Sequence, residues 1–144
     1  MSVLDALQVT LVDEHAALYT YGVLGARTSQ AASPALFETL TAGYRRHRAR
    51  RDQLQLMVRD AGGEPVAAEA AYDLDGSLLR PPQLERAAAD LEAESVEQLV
   101  ALVALSTGSV REWALTEATW SAVWRLRLGA GVETWPGAPE LERA

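Results

Sequence analysis

The chain has 144 residues, a formal net charge of −7 and no cysteine, and all thirteen of its Lys/Arg positions are arginine. This length suits one domain with one core, and the lack of cysteine excludes disulfides, thiolate catalysis and iron–sulfur clusters. The acidic charge argues against nucleic-acid binding, and the lack of a long apolar run or secretion signal predicts a cytoplasmic protein with no membrane partner.

The first predicted helix covers about residues 3–30. Apolar side chains recur at steps of three and four from Leu4 to Tyr21, and Glu14 falls on the same stripe. A buried carboxylate requires a partner, so Glu14 is the first candidate site residue. His15 lies about 100° around the helix from it, and we expect His15 to contact a neighbouring helix or solvent.

The second predicted helix begins at the Ser-Pro pair of residues 33–34 and covers about residues 34–61. Its inner stripe includes His47 and Arg51, which therefore point toward Glu14. The basic run RRHRARR at 45–51 spreads its charges over several helix faces. This spread favours a solvated, salt-bridged surface over a nucleic-acid site.

Residues 63–82 are rich in Gly, Pro and Asp and have no clear period, which predicts a long crossover. A third helix is predicted over about residues 82–106, with Glu92 near its middle. After a short turn, a fourth helix is predicted over about residues 109–128, with Glu117 on its inner stripe.

The fourth helix also places several indoles on one stripe: Trp113, Trp120 and Trp124. Core packing is the favoured interpretation of this stripe, with a pocket for a flat ligand as the alternative. The chain has no Gly-rich phosphate loop, nucleophile elbow or HExxH motif. These absences leave the inward polar residues as the main functional signal.

The predicted order is helix, short turn, helix, long crossover, helix, short turn, helix, in one domain over residues 1–144 with an irregular tail at 129–144. Among all-α folds, one long crossover in the middle is typical of a ferritin-like four-helix bundle. Four inward polar residues are predicted near mid-bundle: Glu14, His47, Glu92 and Glu117.

Over nearly its whole length the chain resembles an uncharacterised bacterial ferritin-like domain family of unknown function. The segments that carry the resemblance are DEHAALYTYGVLGAR, HRARRDQL and WPGAPE. The wider ferritin-like superfamily holds two iron or manganese ions with one Glu on each of two helices and Glu-x-x-His on the other two.

The resemblance implies four surviving metal ligands: Glu14, His47, Glu92 and Glu117. Glu94 is a less well directed alternative to Glu92. Two ligands are replaced, because Tyr44 stands where the second-helix Glu is expected and Trp120 stands where the fourth-helix His is expected. The resemblance therefore implies a degenerate di-metal site.

The loss of two ligands favours a non-enzymatic protein without a cofactor. Three carboxylates and one imidazole are too few for two ions, and Arg51 adds a fixed positive charge. We expect a buried polar network of Glu14, His47, Arg51 and Glu117, in a protein that acts by self-association as a homodimer or by contacts with other proteins. The alternative is a metal-dependent oxidoreductase or iron-handling protein that uses the surviving ligands to hold iron or manganese.

Overall fold

The computed structural model describes residues 1–138 and 140–141. Its helices are α1 (Val3–Ala26), α2 (Pro34–Asp60), α3 (Pro81–Leu105) and α4 (Gly108–Arg127). The all-α prediction is confirmed, since this described part contains no β-strand. Positions 139 and 142–144 of the predicted irregular tail lie outside the described residues. Among the helices described, none has both the length and the hydropathy needed to cross a membrane.

The first helix has well-defined ends. At its start, the backbone N–H of Asp5 donates to the Ser2 hydroxyl at 3.1 Å, and the Ser2 N–H donates to the Asp5 carboxylate at 2.9 Å. This capping box satisfies backbone donors that have no partner within the helix. The helix ends at Ala26, earlier than predicted, and the Thr28 hydroxyl donates to the carbonyl of Leu24 at 2.8 Å.

The long connection between α2 and α3 covers residues 61–80 and runs along α1. Near the start of α1, the Gln8 side chain accepts the backbone N–H of Val66 at 3.0 Å. Just beyond the other end of α1, Arg27 donates to the carbonyl of Asp75 at 2.8 Å. Contacts at both ends of α1 show that the connection passes from one end of the bundle to the other.

Two apolar clusters fill the core, one toward each end of the bundle. The first consists of Tyr21, Leu24, Leu36, Leu40, Leu84, Ala88, Ala89, Trp124 and Leu128. The second consists of Ala6, Leu7, Leu11, Leu54, Val58, Leu102 and Ala114. In every helix the inward polar residues lie between the positions that enter these two clusters. The polar residues therefore share a layer with apolar packing above and below it.

Candidate functional site

His47 lies at the centre of the polar layer and joins carboxylates from two other helices. Its Nδ1 lies 2.6 Å from Oε2 of Glu14 on α1, and its Nε2 lies 3.0 Å from Oε1 of Glu92 on α3. None of these three side chains is more than 3% exposed. The structure thus brings together three of the sequence-predicted site residues.

The surroundings of His47 favour its charged form. Burial opposes a charge on the imidazole, but the Glu14 carboxylate and the hydrogen bonds to Glu14 and Glu92 outweigh it and raise the pKa of His47 to about 9. Because only the imidazolium donates from both ring nitrogens, the protonated form satisfies both carboxylates. The same contact lowers the pKa of Glu92, although burial alone would raise it.

Arg50 provides a second buried cation. Its Nε donates to Oε2 of Glu117 at 2.7 Å, and its Nη2 donates to the Glu117 carbonyl at 2.8 Å and to the Ser121 hydroxyl at 2.9 Å. Its Nη1 lies 3.6 Å from Oε1 of Glu14. With 1% of its side chain exposed, Arg50 connects the α1 carboxylate to the α4 carboxylate inside the bundle.

Arg46 completes the pairing of Glu117 from the surface side. Its Nε and Nη2 donate to the two carboxylate oxygens of Glu117 at 2.8 and 2.7 Å, a bidentate arrangement. The Trp120 ring covers both guanidinium groups, with its centroid 5.4 Å from Cζ of Arg46 and 5.2 Å from Cζ of Arg50. Trp120 therefore adds a cation–π contact and shields the ion pairs from water.

The charges of the layer balance. Its three anions are Glu14, Glu92 and Glu117, and its three cations are Arg46, Arg50 and protonated His47. A buried charge is very unfavourable without a partner, but in this arrangement every charge has one within 3.0 Å. The layer can therefore stay in the core as a neutral network, although Oε2 of Glu92 and Nη1 of Arg50 make no hydrogen bond.

Tyr21 extends the network, although its sequence position indicates only a core residue. Its hydroxyl donates to Oε1 of Glu92 at 2.5 Å, and its ring lies 5.0 Å from the His47 ring. The sequence does contain a signal for this role, because Tyr21 and Glu14 are seven residues apart on one helix stripe. The packing of Tyr21 also explains Gly43, since an added Cβ there would lie 2.5 Å from Cζ of Tyr21.

The prediction that Arg51 enters the buried network is wrong. Its side chain lies at the surface and binds Asp52, with Nη2 2.7 Å from Oδ1. The inner stripe of α2 steps by three residues from His47 to Arg50 rather than by four to Arg51. The basic run at 45–51 therefore does not form only the solvated face that was expected. Two of its arginines, Arg46 and Arg50, bind Glu117.

The two replaced ligand positions are not equivalent in the structure. Tyr44 is 36% exposed and lies on the outer side of α2, so it does not enter the polar layer. Trp120 borders the layer, stacks on Trp124 with ring centroids 4.6 Å apart, and covers the arginines. On α3, Glu92 is the buried carboxylate and Glu94 is exposed.

His15 does not take part in the network, although it is buried. Its Nε2 lies 3.1 Å from the carbonyl of Val66 in the crossover. The expectation that His15 contacts a neighbouring helix or solvent is therefore wrong, because its partner lies in the crossover. The offset of about 100° from Glu14 does direct the imidazole away from the polar layer.

The side chains of the layer do not fit a pair of metal ions. Within the described ranges, no group of three or more His, Asp or Glu residues is arranged to hold an ion. Both carboxylate oxygens of Glu117 accept guanidinium hydrogen bonds, and both ring nitrogens of His47 face carboxylates. A metal ion at this position would have to displace Arg50 and deprotonate His47.

Comparison with known proteins places the chain in a family. Residues 6–140 match the family model described as "Domain of unknown function (DUF4439)". The structure is similar to the crystal structure of a conserved hypothetical protein, Rv2844, from Mycobacterium tuberculosis, with a TM-score of 0.79 and 28% sequence identity over 87% of this chain and 92% of that chain. No curated protein matches the chain significantly. Since the family model spans most of its length, the chain belongs to the DUF4439 family.

Proposed function

We propose that this protein is a non-enzymatic ferritin-like module in which a buried arginine takes the place that metal has in ferritin-like metalloproteins. The observation that carries the proposal is the position of Arg50, between the carboxylates of Glu14 and Glu117 in the middle of the bundle. A guanidinium at this position supplies the positive charge that the carboxylates need.

The ferritin-like part of the proposal rests on connectivity and on the height of the polar layer. The hairpins α1–α2 and α3–α4 are joined by a crossover that runs along α1. Each of the four helices contributes to one polar layer between two apolar clusters. Ferritin-like proteins have this connectivity and place their metal ligands at the same level.

The non-enzymatic part rests on how the polar groups are occupied. General acid–base or metal chemistry requires a group that is free to exchange a proton or to bind an ion. Glu117 is held by two guanidinium groups, and His47 is held by two carboxylates, with 0% of the imidazole exposed. The network therefore stabilises and orders the core.

We further propose that the protein acts through self-association as a homodimer or through contacts with other proteins, using the outer face of α4. Leu115, Val123 and Leu126 lie on one side of this helix and are 57%, 56% and 45% exposed. Apolar side chains that share an exposed helix face are typical of protein contacts. In sedimentation equilibrium, Leu115→Glu with Val123→Glu should shift a dimer to monomer, whereas a wild-type monomer in solution would argue against a homodimer.

The metal content of the purified protein tests the central part of the proposal. The protein is incubated anaerobically with Fe(II) or Mn(II), desalted and analysed for bound metal, with Glu117→Ala as the site variant. We expect the same background level in both proteins. Near-stoichiometric iron or manganese that is lost in Glu117→Ala would overturn the proposal and support the alternative, a metal-dependent oxidoreductase or iron-handling protein.

A further inference from the structure

A hollow of about 440 Å³ lies on the surface where α1, α2 and the crossover meet. We call it the tyrosine groove and define it by the residues on its walls and floor: Tyr19, Gly22, Tyr44, Arg51, Glu69 and Tyr72. Its volume is within the range of small-molecule sites, and its lining combines mainly apolar surface with a few polar groups, as such sites do. The groove is separate from the polar layer.

Aromatic rings form two walls of the tyrosine groove. On one wall, the rings of Tyr19 and Tyr72 lie 5.4 Å apart at an angle of 53°. The Tyr72 hydroxyl accepts the backbone N–H of Glu69 at 3.1 Å, which fixes the orientation of this side chain. Tyr44 lines the groove from α2, and Tyr19 and Tyr44 are 37% and 36% exposed. A flat ring between them would bury aromatic surface that the fold leaves open.

The floor of the tyrosine groove is backbone at Gly22. An added Cβ there would meet nothing closer than the Tyr44 ring, at 3.8 Å. Glycine in a helix is less stable than alanine by about 1 kcal/mol, and the fold itself does not require glycine here. A second hollow of about 200 Å³ also includes Gly22 and Tyr44. A side chain at position 22 would therefore occupy space next to Tyr44 that both hollows share.

Charge distinguishes the two sides of the tyrosine groove. Arg51 supplies a cation on the α2 side, and its contact with Asp52 uses Nε and Nη2. Its Nη1 is the nitrogen available to an anionic group of a ligand. Glu69 lines the opposite side, from the crossover, and repels an anion placed there. We propose that the tyrosine groove binds a small flat aromatic molecule that carries one negative group, with its ring over Gly22 and its anion beside Arg51.

The test is a fluorescence titration of the full chain with two probes. Anilinonaphthalene sulfonate is an aromatic anion, and N-phenylnaphthylamine is its uncharged analogue. We expect both probes to bind saturably to the folded protein. Gly22→Leu should weaken the binding of both probes by roughly tenfold or more, because the leucine side chain would occupy the space over residue 22 in which the ring of the probe lies. Arg51→Gln should weaken the binding of the sulfonate probe by roughly threefold to tenfold and leave the binding of the neutral probe unchanged.

Matched variants control for general changes in stability and charge. Ala16→Leu adds a side chain on α1 in a different groove, between α1 and α3, and Arg48→Gln removes an exposed cation of α2. Both should bind the probes as wild type does, and circular dichroism checks that every variant is folded. The proposal is overturned if no probe saturates, if Gly22→Leu binds normally, or if Arg51→Gln and Arg48→Gln behave alike. A different result would also overturn it: the wild-type protein is a dimer that binds neither probe, and Gly22→Leu is a monomer. In that case a second copy of the chain, and not a small molecule, occupies the groove.

Discussion

Arg50 and Glu117 form a buried ion pair between α2 and α4, with Nε of Arg50 2.7 Å from Oε2 of Glu117. Pairing offsets the large unfavourable free energy of removing each charge from water. Removing Arg50 leaves Glu117 with Arg46 alone and gives the layer one excess negative charge, and removing Glu117 gives it one excess positive charge. The two residues should therefore affect stability as a unit rather than independently.

A double-mutant cycle measures this dependence. We expect Arg50→Met and Glu117→Gln each to lower the free energy of unfolding by about 3–5 kcal/mol, because each leaves an unbalanced charge in the core. The double variant keeps the layer neutral and should lose less than the sum of the single losses, with a coupling of about 1–3 kcal/mol. Strict additivity in urea denaturation would mean that the pair does not act as a unit.

The position of the inner cation shows what periodicity resolves and what it does not. A helix turns about 100° per residue, so the positions three and four residues after His47 lie on either side of the same stripe. The sequence thus indicates a cation facing Glu14 but does not decide between Arg50 and Arg51. The structure decides, because the guanidinium of Arg50 reaches both Glu117 and Ser121.

The helices and most of the buried carboxylates were predictable from the sequence because they follow long, regular patterns. Glu14 and Glu117 fall on clear stripes and are buried. The hydrogen bond from Tyr21 to Glu92 depends instead on the relative height of two helices that are distant in sequence. Local spacing gives no information about such a height, and the packing of Tyr21 on Gly43 was missed for the same reason.

The stability of the protein should depend on pH through His47. The pKa of His47 is raised to about 9 in the folded state, against about 6.5 in an unfolded chain. A raised pKa gives stability that is fully present below pH 6.5 and is lost as the pH rises to about 9. We expect a loss of a few kcal/mol over this interval in urea denaturation. The chain has no lysine or cysteine to obscure the effect.

His15→Gln is the matched control for this dependence and should keep it. An NMR titration of the imidazole signals gives an independent measurement, with His47 remaining protonated above pH 8. Equal stability at pH 6.5 and pH 9 would contradict the charged state assigned to His47.

Tyr21→Phe removes one hydroxyl from the network. The Tyr21 hydroxyl donates to the buried Glu92 carboxylate, so we expect a loss of about 1.5–3 kcal/mol in the free energy of unfolding. Tyr19→Phe makes the same chemical change on the partly exposed surface of α1 and should change stability by less than about 0.5 kcal/mol. Thermal unfolding of the two variants compares them directly, and equal stabilities would argue against the bond to Glu92.

Gly43→Ala tests the close packing of α2 on Tyr21. The added methyl group would overlap the Tyr21 ring, which is 1% exposed and is fixed by its hydrogen bond to Glu92, so we expect a loss of about 1–3 kcal/mol. Gly22→Ala is the matched control and should stabilise the protein by about 0.5–1 kcal/mol, since the new Cβ meets only ordinary contacts. A stabilising Gly43→Ala would contradict the close packing of α2 on the Tyr21 ring.

The most direct measurement of the central claim is the free energy of unfolding of Arg50→Met beside that of Arg51→Met. Both changes remove one guanidinium from α2, but Arg50 is 1% exposed and Arg51 is 26% exposed. If Arg50 is the inner cation, Arg50→Met should lose about 3–5 kcal/mol and Arg51→Met should lose less than about 0.5 kcal/mol. Equal losses, or a larger loss in Arg51→Met, would contradict the claim that Arg50 balances the buried carboxylates.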